Sequence, residues 1–374
     1  MTTYEIGNPD SIQLDQPRES RQAPGERSKA LAGLRPVLGK HAGLMLAFAL
    51  VVVYFWMTQP IFMTWANISN LVASNSVVLV LAVGATFVVI SGGLDLSTVS
   101  ATTLAGMCLG FVLADGHSFV VALIAVLLAG VALGLANGIL IAWVRMSFLV
   151  VTLGTMTIYS SLAQVSNEGA TISVFSAPGF APLMTFVTGR LGPIPYIMIF
   201  DVVLALIAGA VLRYTSYGRS LFAVGSNQEA ARINGINVTR VMLCTYVLAG
   251  LAAGIAALVQ VGRLSGASAT TDPSLLMAVL AAVLLGGTAF TGGEGGIFGT
   301  VLGVLFLGVI TNGLTISQVS AFWTGTVNGG VLLLAVLIST GRDRGWFTRK
   351  PRTVITGDQV LAPDAPEAPE QQRA

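Results

Sequence analysis

Residues 118–144 read SFVVALIAVLLAGVALGLANGILIAWV, twenty-seven positions without one Asp, Glu, Lys or Arg. A helix needs about 20 mostly apolar residues to cross a hydrocarbon layer about 30 Å thick, so this stretch spans a membrane as a single helix. Nine more stretches of similar character flank it, at 41–58, 68–90, 96–114, 147–166, 195–212, 239–260, 274–290, 297–315 and 321–340. The chain is therefore expected to be all-α and polytopic, with about ten transmembrane helices. The Gly-rich turns at 91–95 and 291–296 leave room for broken or re-entrant segments within that number.

Charge repeats the division. Only 10% of residues are charged, against about 25% in a soluble domain. Residues 1–40 hold eleven charges, 341–374 another eleven, and the long body between them fourteen. The expected organisation is a cytoplasmic polar tail (1–40), a transmembrane domain (41–340) and a cytoplasmic tail (341–374). Beyond Pro351 the last tail is too rich in Pro, Gln and acids to bury a core and is expected to be disordered. About forty polar residues precede the first apolar run, so that run is expected to be retained and not cleaved as a signal peptide.

Lys and Arg concentrate in cytoplasmic loops, which sets orientation. With ten spans and an internal N-terminus, Arg27, Lys29, Arg35, Lys40, Arg145, Arg213, Arg219, Arg232, Arg240, Arg342, Arg344, Arg349, Lys350 and Arg352 fall inside. Arg190 and Arg263 fall outside. Both termini are expected in the cytoplasm, in a multi-pass protein of the cell (inner) membrane. The long external connection at 167–194, with Pro178, Pro182 and Pro193, reads as an irregular cap and a candidate docking surface.

Several function classes are excluded. A net charge of +2 does not point to nucleic acid. Cys108 and Cys244 lie in apolar stretches, and His41 and His117 stand apart from them, so neither a disulfide framework nor a metal site is expected. No P-loop string and no Ser/His/Asp arrangement occurs, so the chain is expected to be neither an enzyme nor an ATPase, and to hold no cofactor.

Glycines at 130, 134 and 138, at 250 and 254, and at 299 and 303 recur every four residues. Such stripes let helix backbones approach closely in lipid. A weak echo joins 82–93 with 282–293, each an apolar helix running into Gly-Gly, as internal repeats of transporters do.

The loop from Arg213 to Arg240 is the most informative. Ser226 and Glu229 have the S-x-x-E spacing of a capping box, Ala230, Ala231 and Arg232 favour helix, and Gly235 after Asn234 offers a left-handed stop. The result is a two-turn helix too short to persist alone, which must lie on something.

This loop, Gly-Ser-Asn-Gln-Glu-Ala-Ala-Arg-Ile-Asn-Gly-Ile-Asn at 225–237, resembles the cytoplasmic Glu-Ala-Ala…Gly signature of ribose-type (monosaccharide) permease subunits of bacterial ATP-binding-cassette importers. Residues 88–97, Val-Val-Ile-Ser-Gly-Gly-Leu-Asp-Leu-Ser, are similar to that family's I-S-G-G-I-D-L-S stretch. Residues 282–288, with Gly292-Gly293 and Gly299-Thr300, resemble its A-V-V-L-G-G-T…G-G…G-T stretch. The resemblance covers roughly 43–340. It implies a homodimer or paired permease in membrane lipid, a separate cytoplasmic ATPase that binds the ATP, and an external substrate-binding protein delivering a pentose or hexose. It also implies that Ser226, Glu229, Ala230, Ala231, Arg232 and Gly235 belong to the ATPase-coupling helix. Thr98-Val99 departs from the Val-Gly that commonly follows D-L-S, so packing or substrate preference there is open.

A neutral sugar calls for hydroxyl, amide and aromatic lining. Asn75, Thr86, Phe87, Ser91, Asn137, Phe290 and Asn312 are candidates, each with interhelical bonding or packing as the competing role. Asp95 is either a helix-start acid or a gate or substrate acceptor. Asp201 reads equally as a water-facing mouth or a paired structural acid, and Glu294 as a turn tip or an ATPase contact. The rival function is an ion-coupled secondary transporter of a small neutral solute, for which Asp95 and Asp201 are poorly placed. A membrane scaffold without transport would leave the capped cytoplasmic helix unexplained.

Overall fold

The computed structural model describes residues 26–320 and 322–343. In chain order the helices are α1 (Glu26–Thr58), α2 (Trp65–Ile90), α3 (Thr98–Ala114), α4 (Phe119–Gly138, continued by a π turn, Ile139–Trp143), α5 (Phe148–Ser166), α6 (Ala181–Thr188), α7 (Tyr196–Tyr214), α8 (Ser216–Ser226), α9 (Gln228–Ile233), α10 (Val238–Leu264), α11 (Pro273–Leu285), α12 (Ile297–Ile316) and α13 (Trp323–Asp343). Four two-residue strands, β1 (Ile172–Ser173), β2 (Arg190–Leu191), β3 (Ile194–Pro195) and β4 (Gly266–Ala267), form two antiparallel pairs, β1 with β4 and β2 with β3. The architecture is that of an all-α polytopic membrane protein.

Each of the ten expected spans has a helix, but they are not equivalent. Seven are long and apolar enough to cross a membrane, while Thr98–Ala114, Pro273–Leu285 and the Gly325–Leu334 portion of α13 are shorter. α3 and α11 are shortened by the glycine turns at their ends, and most of their residues are buried. The first span is the later part of a helix that starts at Glu26, so residues 26–40 of the expected tail are helical and continuous with it. Residues 1–25 and 344–374, which carry the rest of both tails, lie outside the described residues.

The connection at 167–194 is more regular than expected. It contains α6, whose Leu183 and Val187 are buried, and its first strand is pinned to the chain after α10 through Ile172 opposite Ala267. A short apolar helix inside a Pro-rich stretch gives little periodic signal, so its packing was not legible from composition.

Glycine stripes bring helices together as expected. A Cβ on Gly130 would overlap the Gly250 carbonyl, and one on Gly134 the Tyr246 carbonyl, so α4 and α10 meet backbone to backbone. Gly299 and Gly303 do the same against Gly286 and Ala282 of α11. In lipid this dispersion contact is a main source of association, because apolar side chains gain little by leaving apolar surroundings.

The echo between 82–93 and 282–293 is present but shifted. After α2 the N–H groups of Ser91, Gly92 and Gly93 donate to the carbonyls of Phe87, Val89 and Val88. After α11, Gly286, Gly287 and Thr288 donate in the same pattern to Ala282, Leu284 and Val283. Gly92 and Gly287 hold the matching left-handed φ, +81° and +84°, which favours glycine. The structural partner of Gly92 is thus Gly287, and Gly292-Gly293 form a separate turn.

Candidate functional site: a seated two-turn helix and a polar interior

α8 runs through Ser226, whose hydroxyl donates to the Phe222 carbonyl at 2.9 Å. Ser226 is therefore not the cap of the next helix, and the expected capping box with Glu229 does not form. Asn227, with extended backbone, caps α9: its Oδ1 accepts from the Ala230 N–H at 2.9 Å. Both residues are good cap formers, and only the length of α8 decides between them. Glu229 instead pairs with Arg232 at 3.2 Å, an exposed i,i+3 pair. The stop is as expected: Gly235 has φ +81°, Gly235 N–H donates to the Arg232 carbonyl and Ile236 N–H to the Ala231 carbonyl, both at 3.0 Å.

The faces of α9 also differ from expectation. Ala231, expected to meet a partner, is 4% exposed and packs into the core of the chain itself. Glu229, Ala230 and Arg232 point outward, joined by Ile233, which is 79% exposed. Ile233 was missed because an apolar residue in a short amphipathic helix reads as the seated side.

The seat is built from glycine. A Cβ on Gly225 would overlap the Ile90 carbonyl, the same carbonyl that accepts from Gly293 N–H at 2.9 Å. Gly292 lies against Gly92, and Gly293 against Ser226. The end of α8, the end of α2 and the turn after α11 therefore meet backbone to backbone at Gly225, Ile90 and Gly292, with the Ser226 hydroxyl against Gly293. Phe87 stacks on Tyr217 of α8 at 6.3 Å between centroids, and Tyr217 shares a 2.9 Å hydrogen bond with Thr245 of α10. Glu294 is exposed in the last of these turns, and its carbonyl accepts from Ala289 N–H.

The candidate pathway residues do not converge on one chamber. Thr86 meets Thr300 at 2.7 Å between α2 and α12, Ser91 donates to the Val88 carbonyl, and Phe87 is buried against α8. Asn312 exchanges two amide hydrogen bonds with Asn67, at 2.9 and 3.0 Å. Phe290 is exposed in the turn after α11. Asp95 Oδ1 accepts from both the N–H and the hydroxyl of Ser97, at 2.9 and 2.6 Å, which orders the turn entering α3. Asn137 donates to the Ser97 hydroxyl at 2.8 Å, and its own Oδ1, just before the π turn, is buried without a hydrogen-bond partner among the described residues. Val99, where the resembling motif carries glycine, is buried in the core.

Asn75 is the one of these candidates that lines a cavity of about 1100 Å³ between α2, α7 and α12. Asp201 lines it too and is only 4% exposed. Ser76 donates to its Oδ1 at 2.6 Å, while Oδ2 has no hydrogen-bond partner among the described residues. Of its two readings the structure supports the paired structural acid, since burial removes it from bulk water. Among the described residues no group of three or more His, Cys, Asp or Glu is placed to hold a metal ion.

A family profile described as the permease component of branched-chain amino acid transport systems matches residues 67–336. The chain is 36% identical over 307 residues to the ribose import permease protein of Bacillus subtilis, covering 82% of this chain and 93% of that one. It is 32% identical over 333 residues to the L-arabinose ABC transporter permease protein of Azospirillum brasilense, covering 88% and 97%. It is 32% identical over 298 residues to the D-allose transport system permease protein of Escherichia coli, covering 79% and 90%. No solved structure matches the chain. With most of its membrane body inside the profile and these relatives aligned nearly end to end, the chain belongs to this family of transport-system permease components.

Proposed function

We propose that the chain imports a monosaccharide as the membrane permease subunit of an ATP-binding-cassette transporter. It works beside a second permease copy, with a cytoplasmic ATPase that binds the ATP and an external binding protein that selects the sugar. The permease hydrolyses nothing itself. On this reading α3, α11 and α13 cross the membrane beside the seven long helices, and the distribution of Lys and Arg supports a cytoplasmic position for both termini and α9.

The observation that carries the reading is α9: a capped two-turn helix whose Ala231 is anchored in the chain and whose Glu229, Arg232 and Ile233 project outward. A partner seated on that face moves the glycine junction of α2, α8 and the α11–α12 turn, because those backbones touch directly. The substrate class follows from relatives named for ribose, arabinose and allose. A zwitterionic amino acid, the class in the profile's description, calls for buried charges of both signs. The buried Asp, Glu, Lys and Arg side chains among the described residues are the acids Asp95 and Asp201.

The test is uptake of labelled pentoses and hexoses by cells or vesicles containing the permease, ATPase and binding protein. Uptake that persists with ion gradients collapsed and stops with ATP depletion supports the proposal. Uptake that follows the ion gradient instead overturns it in favour of secondary transport. A reporter that matures only outside the cell, fused after residue 374, should stay dark.

A further inference from the structure

The cavity of about 1100 Å³ between α2, α7 and α12 is an apolar groove. Val202, Leu206 and Gly209 follow one another along the α7 wall at helical spacing, and α12 contributes Val301, Val304 and Leu305. Val202 and Leu206 are 52% and 67% exposed, so the groove opens outward from the bundle, where a membrane presents acyl chains. Gly209 keeps it wide. A Cβ on Gly209 would meet nothing within 4 Å, whereas one on Gly303 of α12 would overlap the Ala282 carbonyl. Glycine is unfavourable in a helix interior, and at Gly209 no close approach of another helix within the chain offsets that.

The charged residues of the lining stand far apart. Arg213 is in the last turn of α7 and Asp201 nearer its start, about 18 Å away at the helical rise. One leaflet is half of a hydrocarbon core about 30 Å thick, or about 15 Å. The apolar stretch between the two charges therefore has the depth of one acyl chain, and Asp201, held by Ser76, marks its far end.

The end at Arg213 is basic. Among the described residues Arg213 makes a ring contact with Tyr214, at 5.8 Å, and no ion pair. His41 of α1 lines the same end, its ring edge-on to Phe298 at 5.7 Å between centroids. The turns of α1 that precede His41 carry Arg27, Lys29, Arg35 and Lys40 against the single acid Glu26. The next acid by sequence is Glu294, beside the lining Gly295. Lys and Arg clustered at the cytoplasmic end of a membrane helix, and basic pockets between such helices, attract anionic lipid headgroups.

We propose that this groove binds one anionic phospholipid, with an acyl chain between α7 and α12 and the phosphate at Arg213 and the basic start of α1. The lipid belongs to the cytoplasmic leaflet under the topology proposed above, which the reporter fusion tests separately; binding to the purified chain does not depend on it. Phe222 of α8, Gly295 and Gly296 line the same cavity, so the bound lipid also touches α8 and the turn after α11. It should brace their junction.

The experiment uses the full chain, purified in detergent and washed free of lipid. Phosphatidylglycerol, phosphatidylcholine with the same acyl chains, and glycerol 3-phosphate are added in turn. The unfolding midpoint and the lipid retained in native mass spectrometry are read. Phosphatidylglycerol should be retained and raise the midpoint, phosphatidylcholine should bind at least about fivefold more weakly, and glycerol 3-phosphate should do neither. Gly209→Phe fills the groove and should abolish the response to phosphatidylglycerol without lowering the lipid-free midpoint. Val203→Phe, on α7 outside the groove, should keep the response. Arg213→Gln should weaken phosphatidylglycerol about fivefold and leave phosphatidylcholine unchanged. Equal responses to the two phospholipids would mean a lipid annulus only and overturn the proposal. A response to glycerol 3-phosphate as large as that to phosphatidylglycerol would overturn it in favour of a soluble anion. Because Arg213 is exposed, Arg213→Gln decides even where Gly209→Phe does not fold: an unaltered preference for phosphatidylglycerol overturns the proposal.

Discussion

The Gly293 N–H donates to the Ile90 carbonyl at 2.9 Å, tying the turn after α11 to the end of α2. Gly225, the penultimate residue of α8, lies against that same carbonyl with no room for a Cβ. The end of α8 and the ends of two apolar helices are thereby one joint, with α9 attached one residue beyond it.

Gly225→Ala should break this joint. The added methyl meets backbone that cannot swing aside, so a cost of about 1–3 kcal/mol is expected. Uptake should fall at least severalfold, while ATPase co-purification, proposed to depend on the outer face of α9, should persist. Parallel uptake and pull-down measurements check both halves.

Gly134→Leu should destabilise the whole bundle. Even a Cβ there overlaps the Tyr246 carbonyl, so α4 and α10 must separate. The expected loss is at least about 1–3 kcal/mol, read as a lower unfolding midpoint in detergent. Gly154→Ala provides the contrast: its surroundings within the chain are open, so the isolated permease should unfold at the same temperature or higher.

Asn227→Ala should weaken α9, since loss of an N-cap costs about 1 kcal/mol, roughly a fivefold fall in helix population. Ser226→Ala removes only a hydroxyl bonded back to Phe222 and should do much less. The affinity of the purified permease for its ATPase separates the two; equal effects would return the cap to Ser226.

Ile233→Asp should reduce ATPase binding while leaving the unfolding midpoint unchanged, because its side chain is already in solvent. Ala231→Trp should lower the midpoint as well, because Ala231 is packed in the core. Thermal unfolding beside co-purification shows which face of α9 is the docking face.

Asp201→Asn keeps the acceptor for Ser76 and removes the carboxylate from an apolar cavity. Stability should hold or improve, and ATP-driven uptake should remain within about twofold of the parent, since replacing a buried polar group by a neutral isostere is often close to neutral. Loss of uptake with normal folding would point to a cation bound at this carboxylate.

Composition and periodicity by themselves determined the membrane class, the positions of ten apolar helices and the glycine stripes, because each depends on local residue character repeated over a helix length. Gly235 was legible in the same way, as a left-handed stop written in two or three adjacent residues. Tertiary structure alone decided what neighbouring candidates did. Ser226 and Asn227 are equal as cap formers until the extent of α8 is known, and only the seating of α9 turns Ala231 into the core and Ile233 outward. Asn312, Thr86 and Asn137 look alike as polar residues in apolar helices, but each is bonded across to a different helix, at Asn67, Thr300 and Ser97. Which polar group finds a partner depends on how helices distant in sequence are rotated against one another, and no single helix encodes that rotation.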